Sequence, residues 1–146
     1  MLDLAVAITN APLTAASAAL NALTGARLRV DRHFTVICEG GWLSERGLSN
    51  VYTTGNTVNV KAAYAEEFRG KDRVLEHEWR HSVQWALLGP LRFTALYALS
   101  YFGSQWLTGG QCWNVFEWSA GFADGGYACA ESSTSFSTNV RTVLAT

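Results

Sequence analysis

Charge of either sign is scarce in this chain. Only 16% of its 146 residues are Asp, Glu, Lys or Arg, the formal net charge is -1, and no basic run occurs. Without a basic stripe to track phosphates, nucleic acid is not an expected partner. Cysteine occurs three times and proline twice. Cys38, Cys112 and Cys129 are an odd set with no CxxC spacing, which argues against a thiolate zinc cage and against a full disulfide framework. Three buried thiols are the expectation, with a single Cys112 to Cys129 bridge as the alternative in an oxidising compartment. Also missing is a clean apolar run of the about 20 residues that a spanning helix needs. "ALLGPLRFTALYALSYFGSQWL" (86–107) comes nearest, but Gly89-Pro90 breaks it and Arg92 charges it. A buried helix is expected there, a membrane-surface role being the lesser alternative. The opening "MLDLAVAITNAPLTAASAAL" has the small apolar character of a signal peptide. It carries Asp3 and no Lys or Arg ahead of the apolar residues, and Asn10-Ala11-Pro12 interrupts it, so no signal peptide is assigned and the compartment stays open.

What is present points to a packed domain. Hydrophobic residues make up 49% of the chain and six are tryptophan, which excludes disorder and suffices for one core over 1–146. The chain reads first as a short strand or helix, then as a small-residue helix over about 13–23 ended by Gly25. "FTVIC" (34–38) is β-rich and stops at Gly40-Gly41. "VYTTGNTVNV" (51–60) is β-branched on both sides of Gly55-Asn56, which suits a hairpin, one long strand being the alternative. A helical pattern begins at Asp72 and stops at Gly89-Pro90, a second covers about 93–102, and a third runs over 114–123 to Gly125-Gly126. The last stretch, "ESSTSFSTNVRTVLAT", reads as a docked tail. The expected fold class is α+β, a small antiparallel sheet beside several helices.

The chain has three histidines, and two of them fall in "LEHEWRHSVQW" (75–85). His77 and His81 are four apart, so a helix sets both imidazoles on one face, about 6 Å from each other. Both can then reach one Zn²⁺ at about 2.0–2.1 Å. Glu78 projects in a neighbouring direction and can meet a water on the metal without displacing a ligand. In such a site the metal acidifies the water, the glutamate takes its proton, and a polarised carbonyl is attacked. With three His and eight Glu in the chain, chance supplies roughly 0.003 matches to H-E-x-x-H. A site open to catalysis wants a third protein ligand. Glu117 in "NVFEWSAGFADGGY" (114–127) is the candidate, with His33 and Asp124 next. Ala120 and Gly121, one turn after Glu117, would let its helix lie close to the histidine helix. Asp124 could accept a hydrogen bond from the second nitrogen of a ligand imidazole.

"HEWRHSVQW" followed by "LLGPL", and then "NVFEWSAGFAD", resembles the glutamate-type zincins, small H-E-x-x-H metallopeptidase domains. "TTGNTVNV" resembles the strand that precedes their active-site helix. The resemblance covers about 51–127, a little over half the chain, and its most specific part is the metal motif. It implies a minimal zincin-like domain in which His77, His81 and Glu117 bind Zn²⁺ and Glu78 is the general base. Trp79-Arg80 is bulky where many relatives carry a small residue, which would narrow the cleft. No motif fixes the residue that stabilises the oxyanion. Tyr127, Tyr101, Arg80 and His33 are conceivable, and Tyr127 is taken.

The expected activity is therefore zinc-dependent peptide hydrolysis, with an extended peptide or protein substrate added to the edge of the 51–60 sheet. The alternative is a zinc-binding structural or interaction subunit of a large assembly, such as a phage particle. Small size and high tryptophan content favour that alternative. Glu78 discriminates between them, because a structural zinc site needs ligands but no base and is closed by a fourth one, for which Cys112 and Asp124 are the candidates.

Overall fold

The structure is a computed structural model in which residues 1–129 are described. The expected docked tail at 131–146 lies outside the described residues. The chain begins with α1 (Leu2–Leu23), followed by β1 (Arg27–Val30), β2 (Val36–Glu39), α2 (Trp42–Arg46), β3 (Val51–Thr54) and β4 (Thr57–Val60). Then come α3 (Ala65–Phe68), α4 (Asp72–Thr108) and α5 (Val115–Ser119). This is the expected α+β class.

The four strands form one sheet in the order β1-β2-β4-β3. The hairpin at Gly55-Asn56 is present, with Thr54 opposite Thr57 and Val51 opposite Val60. The sheet is mixed where an antiparallel one was expected, because β2 and β4 run parallel with Ile37 opposite Val58. The second hairpin strand, buried along its whole length, takes the central place beside β2 and leaves β3 at the edge. Side chains alternate between the two faces. Ile37, Val58 and Val60 pack with Ala65, Phe68 and Leu75 in the apolar core on one side. On the other, Asn59 receives a 2.7 Å hydrogen bond from Asn21 of α1.

α1 is continuous through Pro12, so the interruption expected at Asn10-Ala11-Pro12 does not occur. Side chains on either side of the proline tie the helix to the rest of the fold, as Asn10 donates to the Ser82 carbonyl at 2.8 Å and Asn21 accepts from the Ser44 amide at 3.1 Å. Among the described residues α1 is the one helix long and apolar enough to cross a membrane by length and composition. Its inward face is nonetheless mostly polar, with Asn10, Ser17 and Asn21 buried beside Val6.

α4 bends where the sequence places a stop. Gly89 has φ 73° and ψ 165°, a conformation that side chains with a Cβ rarely adopt, and Pro90 follows. The result is a first arm (72–88) and a second arm (90–108) that outruns the expected 93–102 helix and ends on the left-handed Gly109. The second arm buries Phe93 and Ser104 but leaves Leu91, Leu99, Phe102 and Trp106 exposed, so it is a half-exposed helix where a buried one was expected. α5 is shorter than the expected 114–123. Asn114 caps it, accepting from the Phe116 amide, and the chain turns from Ala120 onward. Cys112 and Cys129 form a disulfide, correcting the expectation of three thiols, while Cys38 is free and buried. The bridge ties together both ends of the segment that carries Glu117.

Candidate metal centre

The first arm of α4 presents His77 and His81 one turn apart, and α5 brings Glu117 to them. All three are buried, Glu117 at 1% and His77 at 2% exposure. His77 Nε2 lies 3.1 Å from His81 Nε2, and Glu117 Oε2 lies 3.1 Å from the first and 3.4 Å from the second. Atoms on a tetrahedron 2.0–2.1 Å from its centre are about 3.3 Å apart, so the spacing fits three ligands of one ion.

The hydrogen bonds on the far sides of these groups fix which atoms face inward. His77 Nδ1 is 3.1 Å from the Gly121 carbonyl, which can only accept, so Nδ1 carries the proton. His81 Nδ1 is 2.7 Å from Gln84 Oε1, and the Gln84 amide nitrogen donates to the Phe116 carbonyl and the Ser119 hydroxyl. Gln84 Oε1 is therefore the acceptor, and His81 Nδ1 is protonated too. Both Nε2 lone pairs consequently point at Glu117 Oε2, a buried atom with no hydrogen-bond partner among the described residues. The other carboxylate oxygen, Oε1, accepts from Tyr97 at 2.5 Å. Three converging lone pairs repel one another unless a cation lies between them.

The charge balance agrees. Burial raises the pKa of Glu117, yet the facing imidazoles of His77 and His81, with the Tyr97 hydroxyl, outweigh it and hold the carboxyl well below the usual range. Burial works against charge on His81, but the facing carboxylates of Glu117 and Glu78 leave its pKa raised. The cluster thus favours a positive charge at its centre, a proton or a metal ion. His77, His81 and Glu117 form a buried group that can hold a metal ion.

Glu78 stands beside this group without joining it. Its Oε2 accepts from the Thr53 hydroxyl of β3 at 2.7 Å. Burial pushes its pKa up, and the neighbouring imidazoles only partly offset this. Tyr127 lines the same cavity, its ring 6.0 Å from that of His77. Tyr101 lines it as well, whereas Arg80 and His33 do not. Arg80 donates to the Ala120 carbonyl and pairs with Asp124 at 3.0 Å, clamping the turn after α5 onto the first arm. His33 stacks on Trp79 and lies between Asp3 and Glu76. Trp79 and Arg80 therefore do not narrow the cleft, because both are engaged elsewhere.

Neither expected alternative ligand reaches the centre. Asp124 is held by Arg80, and its expected partnership with a ligand imidazole is filled by the Gly121 carbonyl instead. Cys112 is in the disulfide. The close approach of α5 depends on glycine, as expected for Gly121, where a Cβ would fall 2.3 Å from the Arg80 guanidinium. It depends on Gly125 as well, where a Cβ would sit 2.6 Å from the His77 ring. Gln84 and Tyr97 were not identified from the sequence. Gln84 carried a usable signal, three residues past His81 on the same helical face. Tyr97 carried none, since only the bend at Gly89 brings the second arm back over α5.

Comparison of the chain with models of protein families, with curated proteins and with solved structures gives no match in any of the three.

Proposed function

We propose that this chain is a zinc-dependent hydrolase of the minimal zincin type, cutting peptide bonds in an extended peptide or protein. The observation that carries the reading is the fixed orientation of the two imidazoles and the carboxylate. Each uses its outer atom in a protein hydrogen bond and turns an otherwise unpaired atom to a common point. Two nitrogens and one carboxylate oxygen at this spacing suit Zn²⁺, and such a set leaves a coordination position for a reacting group. When bound there, zinc would polarise a substrate carbonyl and ease the loss of a proton from an adjacent water.

The remaining roles fall to the chain. Thr53 holds Glu78 Oε2, which leaves Oε1 to take that proton and pass it on to the leaving amine. Tyr127, which lines the cavity, would donate to the developing oxyanion, and burial keeps its hydroxyl protonated. β3, as edge strand, turns the amides of Val51 and Thr53 outward, where substrate backbone can pair. The Thr53 carbonyl is already taken by Trp85 at 3.1 Å, so that pairing would run chiefly through amide donors.

The test is a mixed peptide library incubated with zinc-loaded wild type, Glu78→Gln and a chelated control. Cleavage by wild type, lowered roughly 10²-fold or more in the variant at unchanged zinc content, supports the proposal. Equal background in all three at full zinc loading overturns it.

One observation favours a second reading, a subunit of a larger assembly. Leu91, Ala95, Leu99, Phe102 and Trp106 recur every three or four residues as an exposed apolar stripe on the second arm. A stripe of this kind marks attachment surfaces. Sedimentation at rising concentration separates self-association from a monomeric enzyme.

A further inference from the structure

The cavity that opens from the metal centre extends between β3 and the second arm of α4 and has a volume of roughly 530 Å³. That is the size of sites that enclose an organic group. Among the described residues no Lys, Arg or Asp lines it, and its carboxylates and imidazoles are those of Glu78, Glu117, His77 and His81. Beyond them the walls are mainly rings, from Tyr52, Trp85, Phe93, Tyr97, Tyr101 and Phe102, with uncharged polar side chains such as Thr94, Gln105 and Gln111 between them. The polar ends of three of these rings are committed within the protein. Tyr52 donates to the Leu43 carbonyl, Tyr97 to Glu117 and Trp85 to Thr53. What they offer to an occupant is therefore apolar. At the mouth, Leu48 and Phe102 also line the cavity while standing 81% and 65% exposed.

We infer that this cavity recognises a bulky, uncharged apolar group of the substrate, an aromatic or branched aliphatic side chain next to the bond to be cut, and rejects anionic ones. The inference rests on reading His77, His81 and Glu117 as the metal centre that positions that bond. An apolar group gains by leaving water for the rings. A carboxylate would be desolvated among those rings with no Lys or Arg among the described lining residues to pair with it.

The test uses three hydroxamates that share one chelating group, binding to the zinc-loaded protein: acetohydroxamate, 3-phenylpropionohydroxamate and succinate monohydroxamate. Burying the phenyl group should tighten binding about 30-fold over methyl, and the succinate probe should bind no tighter than methyl. Ala98→Phe and, separately, Thr94→Trp add bulk to cavity-lining positions on the second arm. Each should weaken the phenyl probe about tenfold or more and leave acetohydroxamate within about twofold. Equal affinity for all three probes, or a phenyl advantage that survives both substitutions, overturns the inference while leaving the metal centre intact. If the protein takes up no zinc, the metal reading fails, and toluene against benzoate by ligand-observed NMR reads the cavity alone. Toluene binding that Ala98→Phe abolishes supports the apolar pocket, and no toluene binding, or equal binding of benzoate, overturns it.

Discussion

On the first arm of α4 the buried side chains include His77, Glu78, His81 and Ser82, whereas the second arm leaves Leu91 88% and Trp106 87% exposed. Each arm departs from the usual division of apolar inside and polar outside. The first does so because its polar groups find partners. Thr53 meets Glu78, Gly121 meets His77 and Gln84 meets His81, so the cost of burial is offset bond by bond. Facing them, Glu117 Oε2 of α5 has no hydrogen-bond partner among the described residues and sits where a cation would satisfy it. The exposed stripe of the second arm has no such compensation within the described residues, while the opposite face of that arm supplies Phe93 and Tyr97 to the cavity. Buried polarity on one arm thus gathers a group that can hold a metal ion, while the other arm keeps an apolar stripe exposed.

Removing a ligand breaks this contrast most severely. His81→Ala should abolish stoichiometric zinc in the purified protein and lower the melting temperature, because metal binding is coupled to folding. Elemental analysis and a thermal melt check this, and full zinc occupancy in the variant would refute it. Gly125→Ala tests the contact that lets the glutamate segment approach the first arm. Its Cβ would fall 2.6 Å from the His77 ring, and a loss of about 1–3 kcal/mol in denaturant unfolding is expected. Tyr97→Phe sharpens the comparison by removing one hydrogen bond with which the second arm serves the first. Glu117 then loses the partner of its outer oxygen, and zinc affinity measured by chelator competition should fall about tenfold. Leu99→Gln acts only on the exposed stripe, so monomer stability should move by no more than about 0.5 kcal/mol.

Much of the centre was legible along the chain. H-E-x-x-H on a helix specifies two imidazoles on one face and a carboxylate beside them, whatever that helix packs against. Val51–Thr54 and Thr57–Val60 flank a turn dipeptide that suits a hairpin, and Gly89-Pro90 ends a helix because proline lacks an amide and glycine admits the needed φ. These are local properties, set by backbone sterics and by periods of two and of about 3.6 residues.

Other features depended on residues distant in sequence. Either hairpin strand could lie beside β2, and packing chose the second, turning that part of the sheet parallel and freeing β3 for the edge. Pro12 lies inside a helix whose neighbouring Asn10 is held by Ser82, 72 residues away. Asp124, the lesser alternative to Glu117 in the sequence, is claimed by Arg80, while the two imidazoles face Glu117. Sequence by itself determined that two histidines share one helical face with a carboxylate beside it, and it put Glu117 first as the third member. Tertiary structure alone decided which tyrosine holds that carboxylate and which rings surround the approach, because those contacts form only when the bend at Gly89 folds the second arm back over α5.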